Sequence, residues 1–159
     1  LAISGEHPGL ALRYENQEEM WRSRFKKGWY LTGDMSYIDE EGFFWFVSRS
    51  DDLIKSRGYL ISPKEVEDTL EEHTSVLEAA VVGKKDEILG QLVKAFIVLR
   101  PGKTGSDELV EEIRQMTRDA IAPYKVPKEI EFVKDFPKTV TGKTMRRELR
   151  DRADEGGDP

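Results

Sequence analysis

The sequence predicts a small α/β (α+β) domain, a mixed β-sheet flanked by helices, preceded by a short β-rich segment. Three observations carry this. Residues 1–50 alternate glycine turns with short aromatic runs, and from Asp52 onward β-branched runs alternate with amphipathic helical patterns. Proline and glycine punctuation separates the two kinds of run. The expected organisation is a β-rich segment over residues 1–50, an α/β domain over 51–153, and a disordered tail over 154–159, where the chain turns small, acidic and glycine-rich.

Taken in order, residues 16–25 fit one short helix. Gly33, Gly42 and the run Phe43-Phe44-Trp45-Phe46-Val47 fit a hairpin whose turn contains Asp39-Glu40-Glu41-Gly42. Ser62-Pro63-Lys64-Glu65 reads as a capping box with proline at the first helical position; Val66 and Leu70 follow on one face, and the helix ends near His73. Residues 76–83 read as an apolar strand closed by glycine, and 92–99 as a second, ended by Arg100-Pro101-Gly102. A second helix starts after Ser106, buries Leu109, Ile113, Met116 and Ala120, and stops before Pro123. Residues 129–136 alternate, with Ile130 and Phe132 on one side, and form a third strand; 144–153 close the domain as a short helix.

Composition narrows the function classes. A chain of 159 residues with 38% hydrophobic and 35% charged side chains is globular, with enough length for one good core. The absence of cysteine excludes disulfides and thiolate metal sites. Only His7 and His73 supply imidazole, and no carboxylate spacing around them suggests a metal, so none is expected. His73 reads as a structural residue at a helix end. A net charge of −6 argues against a general nucleic-acid surface. Arg146, Arg147, Arg150 and Arg152 form a basic run that Glu148 and Asp151 interrupt; a solvated helix face explains it first, steering of anionic ligands second. No apolar run approaches the roughly 20 residues that span a bilayer and no signal peptide is visible, so a cytoplasmic protein is expected.

The stretch with most chemical content is Pro137-Lys138-Thr139-Val140-Thr141-Gly142-Lys143, followed by Thr144-Met145-Arg146-Arg147. A glycine that permits a tight turn, with a lysine at its tip, presents a mobile point charge. Alone it reads as a solvated turn before a basic helix. Upstream, however, stand Trp29-Tyr30-Leu31-Thr32-Gly33-Asp34, then Asp39-Glu40-Glu41-Gly42-Phe43-Phe44. Arg49-Ser50-Asp51-Asp52-Leu53-Ile54-Lys55-Ser56-Arg57-Gly58-Tyr59 and Ser62-Pro63-Lys64-Glu65-Val66-Glu67 follow. In this order and spacing the segments resemble the adenylate-forming enzymes: acyl-CoA synthetases, peptide-synthetase adenylation domains and luciferases. The resemblance runs from about Pro8 to Arg152.

The resemblance implies the C-terminal part of an AMP-forming acyl-CoA synthetase, an enzyme that converts a carboxylic acid, ATP and coenzyme A to acyl-CoA, AMP and pyrophosphate through an acyl-adenylate. Gly58-Tyr59-Leu60-Ile61-Ser62-Pro63 and Pro123-Tyr124-Lys125-Val126-Pro127 look most similar to medium-chain and benzoate-type ligases. The family's Ser/Thr/Gly-rich phosphate loop has no counterpart in these residues, which therefore look like the end of a longer enzyme, residues 1–50 being the last part of its large domain. The acyl pocket and most of the Mg²⁺–ATP contacts would lie in that domain.

By the same resemblance, Lys143 supplies the charge that brings carboxylate and α-phosphate together. Asp34 accepts the ribose hydroxyls, Arg49 contacts ribose and phosphate, and Asp51 is the hinge about which the C-terminal domain rotates after adenylation. Taken alone, Asp34 and Arg49 are a turn residue and a surface ion pair. Gly58 matches the glycine beside the pantetheine tunnel, where a missing Cβ lets a thin thiol arm pass. Lys55 joins the second catalytic face or is a plain surface lysine, and Arg57, Arg118 and Lys125 are candidates for the phosphates of coenzyme A. Tyr124 stacks on adenine or makes a packing corner. Lys143 would also suit regulation by a lysine acetyltransferase and deacetylase, since acetylation removes its charge.

Three positions depart from the family pattern. Ser48 stands where a glycine usually precedes the arginine, Leu31 where a basic residue often precedes Thr-Gly-Asp, and Leu60 where many relatives carry an arginine or glutamine. These are positions near the family's nucleotide and phosphate contacts. A peptide-synthetase adenylation domain is the second reading, although no carrier motif with its serine follows Arg150, and a non-catalytic binding module is the third.

Overall fold

The computed structural model describes residues 1–156 and divides into two compact units, Leu1–Asp51 and the remainder from Asp52. The first unit contains β1 (Ala2–Ser4), α1 (Glu18–Ser23), β2 (Phe25–Lys26), β3 (Trp29–Leu31), β4 (Asp34–Ile38) and β5 (Phe44–Arg49). Strands β1, β3 and β2 form an antiparallel sheet in that order, and β4 pairs with β5 as a separate hairpin. The helix expected over 16–25 is shorter at both ends. Asn16 has φ of 55°, outside the helical region, and Phe25 already belongs to the sheet.

Four rings hold this unit together. Trp21 lies 5.0 Å from both Tyr14 and Phe25 and 5.2 Å from Tyr30 by ring centroids. The Tyr14 and Tyr30 hydroxyls are 2.6 Å apart, a hydrogen bond that raises the Tyr30 pKa together with burial. The β4–β5 hairpin has no such cover: Tyr37, Ile38 and Phe43 to Phe46 are all exposed, and Ser48 is the one buried residue of the unit. Its turn is nonetheless well built. The Asp39 carboxylate accepts the backbone N–H groups of Glu41 and Phe43 and the Trp45 indole N–H, which together hold its pKa low, the indole contributing most.

The second unit contains β6 (Ile54–Ser56), β7 (Tyr59–Ile61), α2 (Pro63–Glu71), β8 (Val76–Asp86), β9 (Gly90–Leu99), α3 (Asp107–Ala120), a 3₁₀ turn at Pro123–Lys125, β10 (Glu129–Val133) and α4 (Arg146–Glu155). Its sheet is mixed. Strand β9 is paired antiparallel with β8 along its full length and parallel with β10, and β6–β7 joins at the Gly90 end. The hairpin β6–β7 is absent from the sequence expectation, and β8 outruns its expected end at Gly83 to Asp86. The Asp86 carboxylate accepts the N–H groups of Ile88 and Leu89, and Gly90 takes φ of 77°, which closes the three-residue loop.

Alternation along the central strands makes two cores rather than one. Ala79 and Val81 of β8 and Val93, Ala95 and Ile97 of β9 face Val66 and Leu70 of α2 and Ile113 of α3. Ala80, Val82, Phe96 and Val98 face the other way, onto Leu149 and Ala153 of α4 and onto Phe136. Each fully buried Leu, Ile or Phe contributes roughly 1.5–3 kcal/mol. Strand β10 stops at Val133, before the expected residue 136, because Phe136 leaves the sheet to enter the second core.

Three details correct the sequence reading. In α3, Ile113 and Thr117 are buried, Leu109 and Met116 are half-buried, and Ala120 is exposed. Thr117 was legible as polar but fits because its hydroxyl donates to the Ile113 carbonyl at 2.8 Å. Ser62 stands at the N-cap of α2 without a side-chain cap bond, and Glu65 pairs with Lys125 instead, so the capping box does not form. The tail expected to be disordered from residue 154 starts too early: Asp154 and Glu155 complete α4, and Asp154 Oδ1 accepts the Lys85 N–H at 2.9 Å. Residues 157–159 lie outside the described residues. His73 is buried just past α2, with Nδ1 accepting the Ser75 N–H and Nε2 3.2 Å from Glu112 of α3.

Candidate functional site

In the first unit the hairpin itself assembles a charged cluster. Asp34 opens β4 and Arg49 closes β5, and register makes them direct cross-strand partners. Arg49 Nη1 lies 3.2 Å from Asp34 Oδ1, and Arg49 Nε donates to Asp51 Oδ1 at 3.1 Å. Partial burial works against ionisation of Asp51, and the Arg49 guanidinium outweighs it, so the Asp51 carboxyl sits below its ordinary pKa. Gly33 takes φ of 83°, and a Cβ there would meet the Arg49 guanidinium at 2.9 Å. The Ser50 N–H donates to the Gly33 carbonyl at 2.8 Å and the Asp34 N–H to the Thr32 hydroxyl at 3.0 Å. A bulge at Val47, between the pairs Met35–Ser48 and Ser36–Phe46, shifts the hairpin just before this pair. Ser48, the departure from a glycine, is buried and places its hydroxyl 3.2 Å from the Arg49 carbonyl.

In the second unit, residues 138–144 close a small hairpin loop, with an antiparallel bridge between Lys138 and Thr144. The Thr139 N–H donates to the Lys143 carbonyl, and the Thr139 hydroxyl accepts the Lys143 N–H at 3.1 Å. Gly142 takes φ of 81° and donates its N–H to the Thr139 carbonyl at 2.8 Å, as the Thr-Gly-Lys pattern requires. Lys138 anchors the loop to β8 through Glu78 at 2.9 Å. The backbone of Lys143 is therefore fixed while its side chain is exposed, and among the described residues no ion pair holds its ammonium. A fixed base with a free charged end is what a lysine that serves a ligand needs.

A second group lies around the β6–β7 turn. Arg57 and Gly58 take φ of 49° and 84°, the paired positive values of a type I′ turn, and a Cβ on Gly58 would meet open space. Ser56, Arg57, Leu89, Pro123, Tyr124 and Lys128 line a cleft of about 290 Å³ beside it. Tyr124 stacks on Tyr59 at 4.2 Å between ring centroids, so it packs against a ring of its own chain. Lys125 is drawn away to Glu65, while Lys128, which the sequence reading passed over, lines the cleft with Arg57. Lys55 is exposed on β6, its N–H bonded to Gln91, and Arg118 is exposed on α3 beside Gln115. The arrangement thus gathers Arg57, Gly58 and Lys128 at one turn and leaves Lys125 and Arg118 outside it.

The arginine run of α4 is also not a simple solvated face. Arg146 and Arg150 reach Glu67 and Asp52, and Arg152 pairs with Glu131 and sits 5.5 Å over the Phe96 ring. No helix among the described residues is long and apolar enough to cross a membrane, and none of their His, Asp and Glu side chains cluster in threes suited to a metal ion.

Comparison with known proteins gives this geometry a family. Residues 65–143 match the AMP-binding enzyme C-terminal domain. The chain is 52% identical over 147 residues to 4-hydroxybutyrate–CoA ligase 1 of Metallosphaera sedula, a match covering 92% of this chain and 26% of that protein. Among solved structures, an anthranilate CoA ligase in complex with anthranoyl-AMP superposes with a TM-score of 0.82 at 41% identity, over 91% of this chain and 28% of that one. The ATP-bound RpMatB-BxBclM chimera B1 gives a TM-score of 0.86 at 32% identity, over 92% of this chain and 29% of that one. The chain spans about a quarter of the length of the curated relatives it matches. Residues 65–143 thus belong to the AMP-binding enzyme C-terminal domain family, and the relatives that the chain matches around them are acyl-CoA synthetases and CoA ligases.

Proposed function

We propose that these residues serve an AMP-forming acyl-CoA synthetase as its mobile C-terminal domain together with the last strands of its large domain. The observation that carries the proposal is the Lys143 loop: a backbone pinned by Thr139 and Gly142 presents an ammonium with no partner among the described residues. Joining a carboxylate to a phosphate brings two anions together, and a preorganised cation there stabilises the developing charge. In this reading Lys143 acts in adenylate formation, Asp34 and Arg49 hold the nucleotide's ribose and phosphate, and Mg²⁺ is bound mainly by residues outside this chain. Asp51 is the hinge, at the division between the two compact units.

Rotation at the hinge then withdraws Lys143 and presents the face with Lys55, Arg57, Gly58 and Lys128 to coenzyme A, with Arg118 and Lys125 as outlying candidates. Relatives named for 4-hydroxybutyrate and anthranilate support an organic carboxylic acid as the acyl donor. The cytoplasm, which supplies both ATP and coenzyme A, is the compartment this reading implies. An acetyltransferase and deacetylase acting on Lys143 would switch adenylation by removing its charge.

The test is acid-dependent ATP–pyrophosphate exchange with the full-length protein, followed by thioester formation with coenzyme A. The full-length protein is expected to catalyse both. These 159 residues alone are expected to catalyse neither, because they contain a lysine and a ribose clamp but no triphosphate cradle. Exchange by these residues alone, free of full-length enzyme, would overturn the assignment of roles.

A further inference from the structure

Three residues past Lys143, Arg146 opens α4 and turns its side chain into the domain. Its Nη2 donates to Glu67 Oε2 at 2.8 Å, and its Nη1 pairs with Glu67 Oε1 and lies 3.2 Å from the Val81 carbonyl. Glu67 is 4% exposed and also accepts the Val81 N–H at 2.7 Å. On the other side, Arg146 Nε lies 3.8 Å from Asp52 Oδ2, and Arg150 Nη1 donates to Asp52 Oδ1 at 3.1 Å. Asp52 is the first residue of its unit, immediately after Asp51. One guanidinium therefore touches α2, β8 and the segment that leaves the hinge, and sits at the base of the lysine loop. A bidentate pair of this kind, with the carboxylate buried and the guanidinium half-buried, has a fixed geometry that a single surface ion pair lacks.

We propose that Arg146 is a positioning residue for Lys143, clamped by Glu67 and Asp52 so that the lysine loop and the segment after the hinge move as one body. The proposal rests on the reading that Lys143 acts in adenylate formation. Rotation at Asp51 delivers the lysine only if the first residue after the hinge and the loop keep a fixed relation. Asp52 makes that connection through Arg146 directly and through Arg150 one helical turn later. A structural ion pair alone would affect both half-reactions through the folded fraction; a positioning clamp affects the step that uses Lys143.

The experiment uses the full-length enzyme with Arg146→Lys, Asp52→Asn, their double variant, and Lys143→Ala as reference. Pyrophosphate exchange, thioester formation from preformed acyl-adenylate, and melting temperature are measured on each. Arg146→Lys keeps the charge but cannot fork onto both Glu67 oxygens while also reaching Asp52, and is expected to lower exchange by about 10²-fold, the order that a misplacement near 1 Å costs. Asp52→Asn keeps the shape and the contacts of Arg146 with Glu67 and the Val81 carbonyl, and is expected to lower exchange by about 10-fold, with thioester formation held. In the double variant the losses are expected to fall short of their product, as for residues in one network. If both half-reactions fall together, or neither changes, while Lys143→Ala remains step-specific, the clamp is overturned and the assignment of Lys143 stands. If Lys143→Ala is itself not step-specific, the functional reading fails and the clamp with it.

Discussion

In the full-length enzyme, Lys143→Ala is expected to lower acid-dependent ATP–pyrophosphate exchange by about 10²–10³-fold, the cost of removing one preorganised charge contact from a transition state. Thioester formation from a preformed acyl-adenylate is expected to stay near the wild-type rate, because in the proposed cycle the lysine has left by then. Stability should not enter. The side chain is exposed, and the loop is held by backbone bonds from Thr139 and Gly142 that alanine leaves in place. Melting temperature therefore serves as the internal control. Acetylation of Lys143 should reproduce the alanine phenotype, since it removes the same charge without disturbing the hairpin. Equal loss in both half-reactions would contradict a step-specific role.

How far the sequence alone reached can be traced residue by residue. The long helices and the β8–β9 pair were legible because each carries its own period and punctuation: Pro63 at a helix start, Ser106 at an N-cap whose hydroxyl accepts the Leu109 N–H, and Arg100-Pro101-Gly102 at a strand end. The β6–β7 hairpin was not, because its strands are three residues each and its turn uses Arg57 as well as glycine at positive φ. Strand β8 outran Gly83 because cross-strand pairing, not composition, sets where a hairpin ends. Ala120 shares the helix face of Ile113 and Thr117 but is the last residue of α3, and it is exposed there.

The candidate site was legible to a different degree in its different parts. Asp34 and Arg49 could be named from spacing, but their direct pairing depends on hairpin register and on the bulge at Val47. Arg146 was misjudged as solvated because Glu67, the buried partner that holds it, lies 79 residues away. No local pattern reports a contact of that range. Lys125 and Lys128 are three residues apart and of the same type; Lys125 ends the 3₁₀ turn and meets Glu65, while Lys128, beyond that turn, lines the cleft.

Gly58→Leu is expected to show the opposite selectivity to Lys143→Ala. In the proposed cycle the thiol arm of coenzyme A passes this turn, and the position has open space where a Cβ would stand. An isobutyl group would fill that space, so adenylation should survive while coenzyme A-dependent turnover falls by about 10²-fold and acyl-adenylate accumulates on the enzyme. The competing cause is the backbone. Gly58 has φ of 84° in a type I′ turn, and a branched side chain forced into that region costs roughly 1–2 kcal/mol. That strain would lower the melting temperature by several degrees for a domain of this size. Gly58→Asn separates the two causes, because asparagine tolerates the left-handed conformation yet still carries a side chain into the proposed path. If the path is the reason for glycine, Asn behaves like Leu in thioester formation and like wild type in exchange and melting temperature. If the turn is the reason, Asn restores all three measurements and Leu depresses them together, and Gly58 is then a turn glycine with no part in guiding coenzyme A.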